Sequence, residues 1–287
     1  MLFLRLLIDG IVNGCVLGTI ALSFTLIYST TRLFHVAHAG VFTLGAYLVW
    51  TFLGLGLPGP VAVVLGALCC MALGAATQQF LYTPLIERRA SPLVVMIASL
   101  GLLAIIENAI AAIYTPNILL FPPWWGKDIV QLGSVPITYA QLLSLAMGLL
   151  AYVFLMGLAR FTLLGKRIRA VASNAFLAEI RQLDPKRVTI WVYAIGSLLV
   201  CLPSSLIAAE FGLRPYSGLL YLLDASIAMI ASGLGSFTGA FFLSILLAVL
   251  QNLSLMVLPG QWSIGVTFFL FVFLMLFRPY GLFAHAR

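Results

Sequence analysis

Apolar runs about as long as a membrane span follow one another along the chain, and they leave little choice of fold. A helix that crosses the hydrocarbon core of a bilayer needs about 20 predominantly apolar residues. Residues 218–233 form a shorter candidate, and the full-length runs, separated by polar breaks, are 6–29, 37–56, 61–82, 92–114, 137–159, 188–209, 237–258 and 262–277. We therefore predict an all-α, polytopic bundle of about eight or nine transmembrane helices, forming a single domain over residues 1–287.

The composition supports a membrane protein and argues against a nucleic-acid-binding one. Of the 287 residues, 63% are hydrophobic and 8% are charged, far outside the range of soluble globular domains. The formal net charge is +7, but the basic side chains gather at the ends of the apolar runs. Charges in that position set the orientation of a chain in the membrane. We therefore expect a lipid bilayer as the surroundings and no nucleic-acid partner.

One polar stretch, residues 165–188, interrupts the apolar runs. Seven of the 15 basic residues lie within residues 160–187, opposed there only by Glu179 and Asp184. Lys and Arg close to membrane spans are retained on the cytoplasmic side. We therefore place this stretch, which extends over about residues 162–187, in the cytoplasm.

Counting crossings from the central stretch orients the rest of the chain. Arg88 and Arg89 then lie inside, and so does the tail from Arg278 if residues 218–233 cross the membrane. The N-terminus lies outside unless the turn near Arg32 is re-entrant. The loop from Tyr114 to Pro136 also lies outside, where interfacial side chains are expected at Pro116, Pro122, Pro123, Trp124 and Trp125.

Small and apolar residues in the central stretch recur at helical spacing. They are Ile168, Val171, Ala172, Ala175 and Ala178, which would share one helix face. We predict a helix from Gly165 to Asp184, ended by Pro185. Phe176, Leu177 and Ile180 fall on other faces and would be left for a partner. An amphipathic connector that rests on the lipid headgroups is an equally open interpretation.

A glycine-rich break follows the short candidate span. Gly233, Gly235 and Gly239 interrupt the apolar pattern, and irregular backbone at membrane depth survives only where protein or a cavity shields it. Broken helices of this kind line substrate pathways in transporters. Small residues also let helices pack closely in lipid, so both interpretations stay open. In either case we expect a tight bend or a close helix contact at these glycines.

A few ionisable residues lie in apolar surroundings. An ionisable group inside a span is costly and marks a functional hypothesis. Glu107, followed by Asn108, and Asp224 lie well within apolar segments, so we predict that they face the protein interior and a translocation pathway. The alternative is that Glu107 lies near the outer headgroups or is protonated. Asp9, Glu210 and Arg214 are expected at the interfaces.

Motifs for metal binding, nucleotide binding and catalysis are missing from the sequence. His35 and His38 lie three apart, but no carboxylate or Cys joins them locally, so we expect no metal site. Gly157 to Lys166 has the wrong glycine spacing for a P-loop, and Arg167 stands where Ser or Thr should follow the Lys. We expect no catalytic residues and no cofactor, and ATP would be used by another chain.

Several separated stretches share residues with one known family. They are Asn13-Gly14 with Leu17-Gly18 and Tyr28, VAHAGVFTLGAY at 36–47, the central stretch, GLGSFTGA at 233–240 and RPYGLF at 278–283. Together they resemble the permease subunits of branched-chain amino acid type ABC importers of bacteria, in the larger group that includes ribose-type permeases. The chain departs from the family where Ala39-Gly40 replaces a usual Gly-Glu, where Gln182-Leu183 replaces a usual Gly-Ile, and where Glu107-Asn108 replaces a neutral Gln-Asn.

The resemblance implies one half of a two-permease pore in the bacterial inner membrane. Its partners would be a second homologous permease subunit, two cytoplasmic ATP-binding subunits and a periplasmic solute-binding protein. The solute would be a branched-chain or other amino acid, or a small amide such as urea. Contact with the ATP-binding subunits is expected at Gly165, Arg169, Ala170, Asn174, Phe176, Leu177 and Ala178, and the pathway at Asn13, His38, Glu107, Asn108 and Asp224.

A second function class is compatible with the same residues. A stand-alone secondary transporter or channel would use Glu107 or Asp224 to carry a proton or an ion. The two classes differ in whether transport requires ATP.

Overall fold

The computed structural model describes residues 2–121, 129–132 and 135–283. The helices are α1 (Leu2–Thr31), α2 (His38–Gly54), α3 (Gly59–Ala76), α4 (Thr83–Glu87), α5 (Pro92–Tyr114), α6 (Tyr139–Phe161), α7 (Leu163–Ser173), α8 (Ala175–Ile180), α9 (Pro185–Phe211), α10 (Gly218–Ser232), α11 (Phe237–Ser254) and α12 (Ser263–Phe277). Pro122, Pro123, Trp124 and Trp125, predicted at the outer interface, lie outside the described residues.

Membrane-length helices dominate the part of the chain that the structure describes. By length and composition, seven helical segments there are suited to cross a membrane. α2 and α10 are shorter apolar helices, as the break after residue 233 indicated for α10. The polytopic helical bundle is therefore confirmed.

Local signals explain where several helices begin. Pro92 and Pro185 occupy first-turn positions of α5 and α9, where a missing N–H leaves no hydrogen bond unmade. Thr138 and Gln141 form a reciprocal capping box at the start of α6. The capping box satisfies two of the amide groups left without partners at the start of α6.

Two local features depart from the sequence prediction. Ile129–Leu132 (β1) and Val135–Thr138 (β2) form an antiparallel hairpin just before α6, where we predicted no strand. Thr77–Tyr82 forms a π-helical segment between α3 and α4, within the run predicted as one regular span. A π-helical turn contains one residue more than an α-helical turn. The Thr83 hydroxyl stabilises this one by donating to the Gln78 carbonyl at 2.8 Å.

α1 is the central helix, and it packs against α11 through a stripe of glycines. A Cβ at Gly14 would come within 2.5 Å of the Ile245 Cα. Gly10 and Gly18 lie one turn to either side and approach α11 nearly as closely. An added Cβ would lie 2.7 Å from the Val249 Cα at Gly10 and 2.7 Å from the Phe241 ring at Gly18. Small residues four apart let helices approach in lipid. We did not predict this role, although the spacing of the three glycines is visible in the sequence.

One end of the bundle gathers the basic elements. The C-terminal half of α1, the N-terminal half of α9 and helices α7 and α8 share a buried cluster that includes Ile27, Tyr82, Ile168, Ala178 and Tyr193. We call this end the basic face. The other end, where α1 begins, α9 and α11 end and α12 begins, is called the opposite face.

Candidate functional site

The basic face is built on a sharp turn between α6 and α7. Thr162 caps α7 by accepting a hydrogen bond from the Gly165 amide at 2.9 Å. A Cβ on Gly165 would lie 2.1 Å from the Leu158 carbonyl oxygen, so glycine is required for α7 to lie on the end of α6. Ile168 and Val171 then bury against the bundle.

The predicted single helix from Gly165 to Asp184 is wrong, because it divides at Asn174. The Asn174 backbone is extended, with φ −159°, and its side chain accepts from the Leu177 amide at 3.0 Å. Asn favours such caps over helix interiors because its short polar side chain competes for backbone groups. Ala175 is consequently exposed and does not continue the buried face of Ile168.

We predicted that Pro185 ends the helix of the central stretch, and this is wrong. α8 stops at Ile180, and Pro185 is the first residue of α9. The chain leaves the helix at Gln182, whose φ is +60°, and the Leu183 amide donates to the Ala178 carbonyl at 3.0 Å. Glycine usually occupies the left-handed position in this kind of helix C-terminal turn. Gln182 therefore occupies, in the left-handed conformation, the place of the family's usual Gly.

An apolar patch remains uncovered on the basic face. Phe176 is 70% exposed, Leu177 57% and Ile180 61%. Phe161 and Leu163 on the adjoining turn are exposed as well. Of the other residues predicted to contact a partner, Gly165 and Ala178 are buried, Ala170 is half-buried, and Arg169 and Asn174 are exposed. Exposed apolar clusters rimmed by polar residues are typical of interaction surfaces.

The glycine-rich break and the end of the described chain form one joint. Gly233 and Gly235 have φ +102° and +97°, in the region that favours glycine. The Leu282 and Phe283 amides donate to the Ala231 and Ser232 carbonyls at 2.9 and 2.8 Å, which completes the hydrogen bonding at the end of α10.

Close approach holds this glycine joint together. A Cβ on Gly281, whose φ is +89°, would lie 2.3 Å from the Gly233 nitrogen. A Cβ on Gly239 would lie 2.8 Å from the Phe283 ring. Gly235 is different, because the nearest atom to its Cβ position among the described residues, the Ser29 Cβ, is 3.7 Å away. Its requirement for glycine comes from the backbone alone.

A cavity opens at the opposite face between five helices. Its volume is about 220 Å³. Asn13 on α1 and Asp224 on α10, both predicted pathway residues, lie on its wall. The remaining lining residues are Val16, Leu17, Ile207, Phe211, Tyr221, Ala248, Gln251, Asn252, Leu255 and Ser263.

His38 lies elsewhere, in a closed polar cluster nearer the basic face. Its Nε2 pairs with the Ser23 hydroxyl at 2.8 Å, while His35 Nδ1 pairs with the Tyr82 hydroxyl at 2.7 Å. Both histidines are buried. Within the described residues, no three His, Cys, Asp or Glu side chains come together as a metal site would require. A place for His38 in the pathway stays a prediction.

Glu107 and Asn108 lie on α5, away from the residues that line the cavity. Glu107 is half-buried, and its Oε1 is buried without a hydrogen-bond partner among the described residues. Asn108 is exposed and donates to the Ala104 carbonyl at 2.7 Å. Of the five predicted pathway residues, the structure brings together Asn13 and Asp224. It does not bring His38, Glu107 or Asn108 to them.

Comparison with known proteins assigns this arrangement to a family. Residues 6–275 match the family model described as branched-chain amino acid transport system / permease component. The permease protein BraD of Pseudomonas aeruginosa, from a high-affinity branched-chain amino acid transport system, is 24% identical over 297 residues, covering 98% of this chain and 95% of BraD. LivH of Escherichia coli K12, from a system of the same description, is 22% identical over 302 residues with the same coverage of each chain.

A solved structure shares the fold. PsaBC from Streptococcus pneumoniae in complex with Fab superposes with a TM-score of 0.50 at 16% sequence identity. The superposition covers 94% of this chain and 90% of that one. At this identity the similarity bears on the fold and not on the solute.

Proposed function

Because the chain belongs to the family of permease components of branched-chain amino acid transport systems, we propose that it forms half of the translocation pathway of an ATP-driven importer. The solute is a branched-chain amino acid or another small polar amino acid. The observation that carries the proposal is the match to permeases along nearly the full length of both chains. The protein itself is a multi-pass membrane permease, and its homologues are transport proteins and not enzymes.

The family and the two faces of the bundle support a set of partners. Lys and Arg near spans are retained inside, so the basic face lies in the cytoplasm of a bacterial cell. There it receives one of two ATP-binding subunits, and the second permease chain receives the other. The opposite face meets a periplasmic solute-binding protein. A second homologous permease subunit completes the pore, and the assembly lies in the inner membrane. ATP is bound and hydrolysed by the partner subunits, so the permease needs no cofactor of its own.

The apolar patch of α8 supports the contact with the ATP-binding subunit. Phe176 and Leu177 are exposed although burying them would be favourable. α7 anchors α8 to the bundle, since Ile168, Val171 and Ala178 are buried in the cluster shared with α1 and α9. Movement of an ATP-binding subunit whose groove covers Phe176 would therefore be transmitted to α7 and α9.

Phe176→Asp is expected to uncouple the permease from its ATPase. Placing a carboxylate in a partly apolar contact removes an aromatic anchor, a loss of about 2 kcal/mol or more at an interface centre. The measurements are co-purification of the ATP-binding subunit and ATP-driven uptake in proteoliposomes, both at least tenfold lower by this estimate. Leu177→Asp should act in the same direction.

Phe176→Leu is the matched control, because it keeps an apolar side chain at the same exposed position. It should retain both binding and uptake. The monodisperse elution of each variant in detergent reports whether the bundle stays folded. Unchanged ATPase binding and uptake in both Asp variants would remove α8 from the contact.

A secondary transporter is the alternative function. The observation in its favour is the Glu107 carboxylate oxygen, which has no hydrogen-bond partner among the described residues. Glu107→Gln separates the two. In an importer the amide keeps the hydrogen-bonding capacity, so ATP-driven uptake should stay within about a factor of two of wild type. In a proton-coupled transporter the same change abolishes uptake. Uptake that persists without ATP and vanishes in Glu107→Gln would overturn the importer.

A further inference from the structure

The cavity at the opposite face combines apolar walls with a single charged side chain. Among its lining residues only Asp224 is ionisable to a charge at neutral pH. Its volume of about 220 Å³ is below the roughly 300 Å³ at which sites for drug-sized ligands begin. Apolar walls with a few convergent polar groups are typical of small-molecule sites. The cavity is therefore suited to a small solute with an apolar part.

The polar groups on its wall offer hydrogen-bond acceptors. Asn252 Nδ2 donates to the Ala248 carbonyl at 2.8 Å. The Gln251 side-chain amide donates to the Thr267 hydroxyl. Each of these two amides uses an N–H group within the protein, and their side-chain carbonyl oxygens are acceptors on a wall that also carries the Asp224 carboxylate. An ammonium group, with three N–H donors and a positive charge, complements such a set of oxygens.

An arginine lines the pocket next to the cavity. Arg214 lines a smaller neighbouring pocket of about 20 Å³ together with Phe42, whose ring packs on Tyr221 at 5.3 Å. Ile207 borders both pockets. A molecule that carries both an ammonium and a carboxylate group finds a counter-charge for each in this region.

We propose that this cavity binds the ammonium group of the transported solute, with Asp224 as its counter-ion. The inference rests on the proposed import function, because the solute reaches the cavity from the side of the binding protein. A carboxylate within the membrane is stabilised only by a partner, and the solute supplies one when it arrives. Asn13, Gln251 and Asn252 orient the ammonium group through their side-chain oxygens.

Uptake tests the role of Asp224. The complete complex is reconstituted in proteoliposomes with its solute-binding protein, ATP and radiolabelled leucine. Asp224→Asn is expected to lower uptake at least about tenfold, since a hydrogen bond to a charged group is lost, and Asp224→Glu should restore part of it.

The uptake results distinguish a failure of the ammonium site from a failure of the proposed import function. Equal uptake by wild type and Asp224→Asn overturns the ammonium site and leaves the importer intact. A wild-type complex that takes up no leucine with ATP overturns the proposed function.

Direct binding provides a test that does not depend on a variant. The thermal midpoint of the purified wild-type complex is measured without the binding protein, in the presence of millimolar leucine, 3-methylbutylamine or 2-hydroxyisocaproate. Leucine and the amine should raise the midpoint, and the hydroxy acid, which lacks the ammonium group, should not. Equal stabilisation by the hydroxy acid, or no shift with leucine, overturns the proposal. Replacing N-methylglucamine by sodium as the buffer cation should not change the thermal midpoint. A rise with sodium as large as the rise with leucine would assign the site to an inorganic cation.

Discussion

Replacing Gly14 with leucine is expected to prevent the bundle from assembling. A Cβ at this position would lie 2.5 Å from the Ile245 Cα on α11, and backbone cannot move aside as a flexible side chain can. Overpacking typically costs about 1–3 kcal/mol, and more where helices must separate. α1 contacts α6, α9 and α10 as well as α11, so a shift of α1 disturbs most of the protein. We expect less than about a tenth of the wild-type yield of monodisperse protein from detergent.

Two further variants show whether the effect comes from the helix contact. In the part of the chain that the structure describes, no atom lies within 4 Å of the Gly157 Cβ position. Gly157→Leu should therefore be tolerated, or even gain helix propensity. Gly14→Ala, which adds only the Cβ, should cost less than Gly14→Leu. A Gly14→Leu protein with the yield and thermal midpoint of the wild type would show that α1 and α11 do not pack as described.

Gly281→Val is expected to release the end of the described chain from α10. Two effects act together here: the φ of +89° strains any side chain, and a Cβ would meet the Gly233 nitrogen at 2.3 Å. Strain at a left-handed position costs about 1–3 kcal/mol, and for a β-branched residue the steric contact adds to it. The Leu282 and Phe283 amides then lose the α10 carbonyls. We expect faster proteolysis after residue 278 and a lower thermal midpoint.

A graded series checks the reason for this effect. Gly235→Val meets only the backbone strain, because the nearest described atom is 3.7 Å from its Cβ position. It should therefore destabilise the protein less than Gly281→Val. Gly265→Ala, in α12 with its nearest neighbour at 3.6 Å, should be close to neutral. Equal effects of Gly235→Val and Gly281→Val would show that contact with Gly233 is unimportant.

Some features of the candidate sites are local and were open to prediction. The basic stretch and the exposed Phe176 and Leu177 follow from composition and helical spacing. The division at Asn174 is local as well, since an Asn in a short polar stretch is a strong cap. We missed it because the alanine periodicity appeared continuous across it. The positive φ of Gln182 could not be predicted, because nothing in a glutamine side chain favours that conformation.

The helices follow from the sequence alone, because a segment in lipid must satisfy its backbone hydrogen bonds internally and its apolar length therefore specifies a helix. The positions of Lys and Arg predict an orientation as well. Which helices meet is seen only in the folded structure. Asn13 joins Asp224 on one cavity wall, Gly14 meets Ile245, and Gly281 meets Gly233. Lipid is as apolar as the helix surfaces, so these contacts depend on close packing of small groups spread over distant segments. A local pattern such as the glycine spacing of α1 indicates a contact face but does not specify its partner.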